Sequence, residues 1–250
     1  MVKFACPSGL WSKCPPLVSN LGSRVYSTRL INFADRNILP HNARRANIRT
    51  KALMANRSIK GPRKHLKYKI AISGAAETGH CAIDALEKAE QIGRIIAEQG
   101  MVLVTGATTG IPYWSMKGAK EAGGIVIGLS PASSEEAHIK SYRLPTDYMD
   151  LIIYTGFDYS GRNLLLMRAA DATITICGRM GTLNEFTIGF EDRKPMGVLS
   201  GTGGIADELP EIIEKSHRGP GKVVFESDPV KLVDKVVALI EKDKEKNHNK

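Results

Sequence analysis

Residues 172–186 decide the fold, and they read ATITICGRMGTLNEF. The first five residues form a short run without charged side chains, which is typical of a strand buried on both faces of a parallel sheet. A turn with two glycines follows, and Thr182 then stands three residues before Glu185 at the start of a helix-like segment. A strand that passes through such a turn into a helix is the repeating unit of an α/β fold.

The same alternation of short apolar runs and longer helical segments extends along the chain from Tyr68. Helical spacing is clear in residues 83–99, and Gly100 follows as a stop. We therefore predict a single, doubly wound, mostly parallel, Rossmann-like α/β domain over residues 68–243, with a charged tail at 244–250. The predicted strands are 68–72, 101–105, 124–128, 151–154, 172–176, 195–199 and 222–225, and the further helices lie near 113–122, 161–170, 182–191, 208–217 and 228–242.

The net positive charge of the chain arises from its N-terminal part. Residues 1–67 hold six Lys, eight Arg and one Asp, a net charge of +13. The other residues carry 21 basic and 25 acidic side chains, a net charge of −4. Because the predicted domain is mildly acidic, we do not expect it to bind nucleic acid.

The basic extension, residues 1–67, has two interpretations. It is rich in Arg and Ser and resembles a mitochondrial presequence, with a processing-site pattern at 24–28, which would place the protein in the mitochondrial matrix. Alternatively, it is translated upstream sequence and the true start is Met54, which leaves the protein cytoplasmic. We favour the second interpretation because the first 25 residues contain no clear amphipathic Arg-rich helix. Under both, the extension is disordered or removed and lies outside the fold.

Cysteine spacing and hydropathy exclude several classes of protein. Cys6, Cys14, Cys81 and Cys177 have no metal-ligand spacing, and His80 beside Cys81 has no second such pair, so we expect no metal and no cofactor. In a chain that can bury a large core we do not expect a disulfide framework, and a reducing compartment follows. No apolar run approaches the roughly 20 residues that span a bilayer. We expect a soluble homo-oligomer, a dimer.

Four loops rich in Gly, Ser and Thr follow predicted strands, at residues 73–79, 105–110, 155–161 and 177–182. In a parallel sheet such loops meet at one edge, where glycine lets backbone N–H groups approach an anion and helix N-termini add partial positive charge. We therefore predict a nucleotide-like ligand. None of the loops reads G-x-G-x-x-G, which disfavours NAD(P)-dependent chemistry. The candidate phosphate or substrate contacts are Ser73, Gly74, Gly106, Thr109, Gly110, Gly178, Arg179, Gly181 and Thr182.

Residues 162–185 resemble the Lonely Guy (LOG) family, formerly mislabelled "lysine decarboxylase-like". The hallmark of that family is an Arg on a helix, a strand, and then P-G-G-x-G-T-x-x-E, and here Arg162 and Glu185 stand at the family's spacing. Residues 103–110 and 123–131 are similar to the family's second and third strands. The resemblance implies a Rossmann-like nucleotide-binding protein that hydrolyses a nucleoside 5′-monophosphate to a free base and ribose 5-phosphate.

The chain departs from the family's pattern at four positions. In the glycine-rich turn, Cys177 stands where the family has Pro, and Arg179 stands where it has its second Gly. On the helices, Asn163 replaces the Lys that follows the helix Arg, and Asn184 replaces the first of two adjacent Glu residues. The loss of a phosphate-loop glycine puts the exact substrate in question, although the Arg could replace a backbone contact with a charge-assisted one. A non-catalytic protein that binds a nucleotide or the molybdenum cofactor is therefore the alternative function.

Glu185 also has two interpretations. As a catalytic carboxylate it would stabilise oxocarbenium charge on the ribose or activate water, while Arg162 binds phosphate or ribose, or keeps the Glu ionised. Alternatively, Thr182 and Glu185 have the form of a capping box, in which the two side chains bond each other's backbone amides at a helix N-terminus. The two roles are compatible.

Overall fold

The computed structural model describes residues 66–248, which form an α/β domain around a seven-stranded parallel sheet. The predicted Rossmann-like fold is therefore confirmed, whereas the predictions for the basic extension fall almost wholly outside the described residues. The strands are β1 (Lys69–Gly74), β2 (Val102–Thr105), β3 (Ile125–Ser130), β4 (Leu151–Tyr154), β5 (Ala172–Ile176), β6 (Met196–Leu199) and β7 (Val223–Glu226). The α-helices of this range are α1 (Ala85–Glu98), α2 (Ile111–Glu121), α3 (Asp158–Ala169), α4 (Met180–Glu191), α5 (Ile205–Ser216) and α6 (Pro229–His248).

The order of the strands creates the place for a ligand. The sheet runs β4-β3-β2-β1-β5-β6-β7, so the chain builds outward on one side of β1 and then returns to place β5 on the other side. Ile72 of β1 consequently lies beside Thr105 of β2 and beside Ile174 of β5. At such a reversal the loops that leave the neighbouring strands separate, and a crevice opens at their carboxyl ends.

The central strand β1 is covered on both faces. Ile70 and Ile72 belong to a buried cluster with Ile92 of α1, whereas Ala71 belongs to a second cluster with Leu166 of α3. Alternate residues of a strand point to opposite faces, so a strand between two helical layers needs apolar residues at every position. This burial explains the apolar run at residues 70–72 in the middle of the strand.

Helices α1 and α2 cross with their backbones in direct contact. A Cβ atom on Gly93 would lie 1.9 Å from the carbonyl oxygen of Ser115, and one on Gly118 would lie 1.9 Å from that of Glu90. Only glycine permits this approach. Because α1 follows β1 and α2 follows β2, the contact fixes the spacing of the first two loops at the carboxyl edge.

The predicted elements are present, with shifted bounds and one addition. Helix α3 begins at Asp158 rather than near 161, and α6 continues to His248, past the predicted domain boundary at 243. A π-helical turn at Ala137–Ser141 was not predicted. Its His138 is buried and bonded at both ring nitrogens, to Ser130 Oγ (2.8 Å) and to the carbonyl oxygen of Pro145 (2.9 Å). None of the helices between residues 66 and 248 combines the length and the apolar character that a bilayer-spanning helix requires.

The crossing of α1 and α2 predicts an unusual effect of alanine. In an exposed helix, Gly→Ala raises stability by about 1 kcal/mol. Gly118→Ala should instead lower the free energy of unfolding by about 1–3 kcal/mol, because the new methyl group overlaps the backbone of α1. Urea denaturation measures this difference.

Gly79→Ala is the matched control, since nothing lies within 4 Å of a Cβ atom at that position. Its stability should stay within about 0.5 kcal/mol of the parent, the range for surface substitutions. A Gly118→Ala protein as stable as the Gly79→Ala protein would show that the helices do not approach this closely.

Candidate functional site

The crevice at the carboxyl ends of β1 and β5 holds a cavity of about 430 Å³. Its walls come from the first two loops, from the turn into α4, from α3 and from the segment after the π-helical turn. The lining residues are Ile72, Gly74, Ala75, Ala76, Glu77, Gly106, Thr108, Thr109, Pro112, Tyr142, Arg143, Leu144, Tyr159, Arg162, Asn163, Arg179, Gly181, Thr182 and Glu185. A volume of a few hundred Å³ is in the range of small-molecule sites.

Arg162 of α3 is a buried cation in the wall of the cavity. Its side chain packs on Gly106, where a Cβ atom would lie 1.4 Å from the guanidinium Nη1. The residue is only 5% exposed, and its Nε finds no hydrogen-bond partner among the described residues. Burial lowers the pKa of Arg162, and the nearby charge of Glu185 opposes that effect. An Arg stays protonated even so, and the site therefore presents a positive charge with unused hydrogen-bonding capacity.

Glu185 lies in α4 and is buried beside this cation. The hydroxyl of Ser73, at the end of β1, donates a hydrogen bond to its Oε2. With the amide of Asn163 oriented to satisfy its neighbours, Nδ2 donates to Glu185 Oε1 (2.9 Å) and to the carbonyl oxygen of Tyr159 (2.9 Å). Burial raises the pKa of the Glu185 carboxyl, while Arg162 and the Ser73 hydroxyl favour its ionised form. The carboxyl is thus held in one orientation with a pKa above its ordinary value.

The capping-box interpretation of Glu185 is wrong. Helix α4 begins at Met180, two residues before Thr182, and the residue that caps it is Arg179, without a side-chain capping bond. The Glu185 carboxylate faces Ser73 instead of turning back along its own helix. The sequence pattern predicted the cap wrongly because the helix begins before Thr182, so Thr182 and Glu185 both lie inside the helix.

The turn into α4 places some of its residues in the cavity and others behind it. Gly181 and Thr182 line the cavity at the first turn of the helix, where backbone N–H groups have no intrahelical partner. Gly178 does not line it. That glycine has a φ of 102°, and a Cβ atom there would lie 2.5 Å from Thr182, so its role in the structure is to make the sharp turn.

Arg179 reaches across the mouth of the crevice. Its Nη1 lies 2.9 Å from Glu77 Oε2 in the first loop, and both side chains are exposed. The predicted phosphate contact is therefore already paired with a carboxylate. A ligand anion that approaches Arg179 therefore meets a guanidinium whose charge is already partly offset by Glu77.

Some of the remaining predicted contact residues line the cavity, and others lie behind its wall. Gly74, Gly106 and Thr109 line the cavity, whereas Ser73 lies behind it as the partner of Glu185. Gly110 also lies outside the lining. Its φ is 69°, and a Cβ atom there would lie 2.2 Å from the carbonyl oxygen of Ala75, so this glycine joins the first two loops.

Several lining residues were not predicted as site residues. Tyr142, Arg143 and Leu144 come from the segment after the π-helical turn, where the sequence has no motif and no glycine-rich loop. The Tyr142 hydroxyl donates to Asp158 at the start of α3, which ties that segment to the helix of Arg162. Asn163 was visible only as a departure from the family's pattern, although its amide contacts Glu185.

The expectation that the cysteines carry no disulfide is wrong for two of them. Cys81 and Cys177 are joined by a disulfide, although 96 positions separate them in the sequence. The sequence could not reveal the pairing because it arises from the sheet: β1 and β5 are neighbours, so their following loops meet. His80 lies at the same place, with Nε2 3.6 Å from Cys177 Sγ.

The buried Glu185 carboxyl makes stability depend on pH in a defined direction. Its folded-state pKa lies above the ordinary value of 4.5, so the folded protein holds the proton more tightly than the unfolded chain. The free energy of unfolding contributed by this group therefore falls as pH rises from about 4.5 through the folded pKa. Relative to Glu185→Gln, the wild type should lose stability over that interval.

Urea denaturation of both proteins at a series of pH values measures this difference, and titrations common to both proteins cancel. A difference that does not vary with pH, or that moves in favour of the wild type as pH rises, would show that the carboxyl is not destabilised by burial.

Comparison with known proteins places the chain in a family. An uncharacterized protein of Archaeoglobus fulgidus is 31% identical over 126 residues, which are 50% of this chain and 78% of that protein. The molybdenum cofactor binding protein from the phototrophic bacterium Rippkaea orientalis is 27% identical with a TM-score of 0.56, over 72% of this chain and 98% of that one. The Moco carrier protein from Chlamydomonas reinhardtii is 26% identical with a TM-score of 0.58, over 71% and 99%.

A match to a family model identifies the family. Residues 67–233 match the model of the SLOG cluster4 family, which covers nearly the whole sheet domain. SLOG proteins share the Rossmann-like fold of the LOG proteins, so the resemblance read from the sequence holds at the level of this wider group. The chain belongs to the SLOG cluster4 family.

Proposed function

We propose that the crevice binds a small molecule that carries a phosphate, of the nucleotide class. The observation that carries this proposal is Arg162, a buried positive charge that lines the cavity. Its Nε, which has almost no accessible surface, lacks a partner among the described residues. A buried cation with free hydrogen-bonding capacity is costly unless an anion completes it. The first turn of α4, at Gly181 and Thr182, adds a second anion-binding feature at the same cavity.

We further propose that the bound compound is a nucleoside 5′-monophosphate and that its N-glycosidic bond is hydrolysed. The bond between ribose C1′ and the base nitrogen breaks, water supplies the hydroxyl at C1′, and a proton goes to the base. The transition state carries oxocarbenium charge on the ribose, which a nearby carboxylate can stabilise. Glu185 is the carboxylate that lines the cavity next to Arg162.

The surroundings of Glu185 suit a group that exchanges protons. Ser73 and Asn163 each donate to one carboxyl oxygen, so the structure holds the carboxyl in one orientation. A carboxyl whose pKa is raised above its ordinary value can accept a proton from water and later return it. Arg162 then has two roles: it binds the anion, and it limits how far the pKa of Glu185 rises.

The second candidate function is that of a carrier, which binds a nucleotide or the molybdenum cofactor and does not catalyse a reaction. The two solved structures compared above belong to proteins described as a molybdenum cofactor binding protein and a Moco carrier protein, and this chain spans 98% and 99% of them. Arg179, in place of a phosphate-loop glycine, also favours altered binding. Both candidates use the same crevice, and they differ in whether product forms.

Binding is tested by comparing AMP with adenosine. If the crevice holds a phosphate, AMP should raise the melting temperature and adenosine should raise it far less. Arg162→Gln should lose at least tenfold in AMP affinity, because a hydrogen-bonded charge contact contributes about 1.5–3 kcal/mol. Thermal shift and isothermal titration calorimetry measure both effects.

Arg168→Gln is the matched control for Arg162→Gln. It lies on the same helix but is exposed and paired with Asp192 (3.1 Å). The control should bind AMP as the parent does. Equal melting shifts for AMP and adenosine, or equal losses in the two variants, would argue against a phosphate site at Arg162.

Turnover is tested with a panel of nucleoside monophosphates, in which chromatography detects the released base. Glu185→Gln should lower the rate by a factor on the order of 100 or more, because an amide neither accepts a proton nor offsets positive charge. Glu191→Gln, at the exposed end of the same helix and bonded to Arg218 (3.0 Å), should not change it.

The outcomes separate the two candidates. A Glu185→Gln protein that cleaves at the parental rate would remove Glu185 from the chemistry. If the parent binds monophosphates and releases no base from any of them, the carrier function replaces the hydrolase.

A further inference from the structure

The disulfide joins two segments that face each other across the crevice. Cys81 lies two residues after the first loop, residues 73–79, and Cys177 opens the turn into α4. Both segments contribute to the cavity wall, through Gly74–Glu77 on one side and Gly181 and Thr182 on the other. The covalent bond therefore limits how far the two walls can move apart.

A third segment holds both cysteines in place independently of the bond. The backbone N–H of Cys177 donates to Thr202 Oγ1 (2.9 Å), and its carbonyl oxygen accepts from the N–H of Ala206 (3.0 Å). Cys81 forms an isolated antiparallel bridge with Gly203. Because the same short segment positions both residues, the two sulfur atoms stay close after the bond is broken, and their high effective concentration favours its return.

The two sulfur atoms differ in access and surroundings. Cys81 is partly exposed, whereas Cys177 is fully buried. His80 Nε2 lies 3.6 Å from Cys177 Sγ and 3.2 Å from the carbonyl oxygen of Gly178. Of the two residues, Cys81 is therefore the more accessible to an external thiolate, while the ring of His80 can donate a hydrogen bond to the sulfur that departs as a thiolate.

We propose that Cys81–Cys177 is a reversible redox site, opened by a dithiol reductant, and that its state sets the affinity of the crevice for its ligand. One thiolate of the reductant attacks Cys81 Sγ, the disulfide breaks, and its electron pair leaves on Cys177 Sγ, which takes up a proton. The second thiol of the reductant then displaces Cys81 and forms the oxidised reductant. The protein gains two electrons and two protons, and the dithiol loses them.

The link to affinity rests on the proposed function and follows from preorganisation. In the oxidised protein the first loop and the turn into α4 are held at the spacing that shapes the cavity. After reduction only hydrogen bonds to residues 202–206 still connect the two walls, so their separation varies more widely, and a ligand that contacts both walls must restrict it again. We expect the reduced protein to bind AMP on the order of threefold to tenfold more weakly than the oxidised protein.

The redox site is tested first without any ligand. In full-length protein with Cys6→Ser and Cys14→Ser, thiol titration should find no thiols in the oxidised state and two after treatment with dithiothreitol. Removal of the reductant under air should restore the bond. His80→Gln should slow reduction about tenfold, the kinetic equivalent of one hydrogen bond to a charged group.

The coupling to the crevice has its own measurement. Hydrogen exchange in residues 73–81 and 177–183 should quicken on reduction, while exchange in the strands β2 and β3 should not. Cys81→Ser should reproduce the reduced state with or without dithiothreitol, and Cys177→Ser serves if the first variant folds poorly. AMP affinity measured in both redox states completes the test.

Equal AMP affinities in the two redox states would overturn the coupling to the crevice, and three further results would overturn the proposal. The first is a native bond that resists dithiothreitol for hours, and the second is unchanged exchange in both loops after reduction. The third is uptake of one Zn²⁺ by the reduced protein in a form that resists reoxidation, since His80, Cys81 and Cys177 place their ligand atoms within 4.8 Å of one another. If AMP binds in neither state, the proposed function fails, yet thiol titration and hydrogen exchange still decide the redox site.

Discussion

The positive charge of Arg162 and the carboxyl of Glu185 share the buried side of the crevice, and the rest of the site depends on their joint removal from water. Each charge would be costly there alone, because burial favours the neutral form of both groups. Neighbouring residues offset the cost of burying these two charged groups. Gly106 leaves room for the guanidinium, and Ser73 and Asn163 each donate to one oxygen of the carboxyl. These features meet only where loops from several strands converge.

That convergence follows from the strand order. Ser73 is the penultimate residue of β1, Gly106 follows β2, and Glu185 belongs to the helix after β5, so the three residues are far apart in the chain and adjacent at one edge of the sheet. Arg162 comes from α3, the helix that leads into β5. The direct contact of α1 with α2 keeps the first two loops at a fixed spacing, which side-chain repacking cannot adjust.

The sequence predicted the sheet, because continuous apolar runs are a local property. The resemblance to the LOG family singled out Arg162 and Glu185, and the structure places both in the wall of the cavity. The sequence did not predict the surroundings of Glu185. The first turn of α4 begins at Met180, which no residue pattern marked, and the failure of the capping pattern follows from that start. Asn163 contacts the carboxyl through tertiary structure alone. The bond between Cys81 and Cys177, and the segment with Tyr142, likewise depend on which strands become neighbours.

The ion pair between Arg179 and Glu77, at the mouth of the crevice, affects how strongly ligand binding depends on ionic strength. Because the guanidinium is already bound by a carboxylate, an anion that takes the place of Glu77 exchanges one ion pair for another instead of creating a new one. Surface pairs of this kind contribute only about 0–1 kcal/mol, so the exchange is nearly neutral. The Arg179 side chain is also ordered before the anion arrives, and less rotamer entropy is lost on binding. Added salt should therefore weaken this contact less than it weakens a contact made by a free surface arginine.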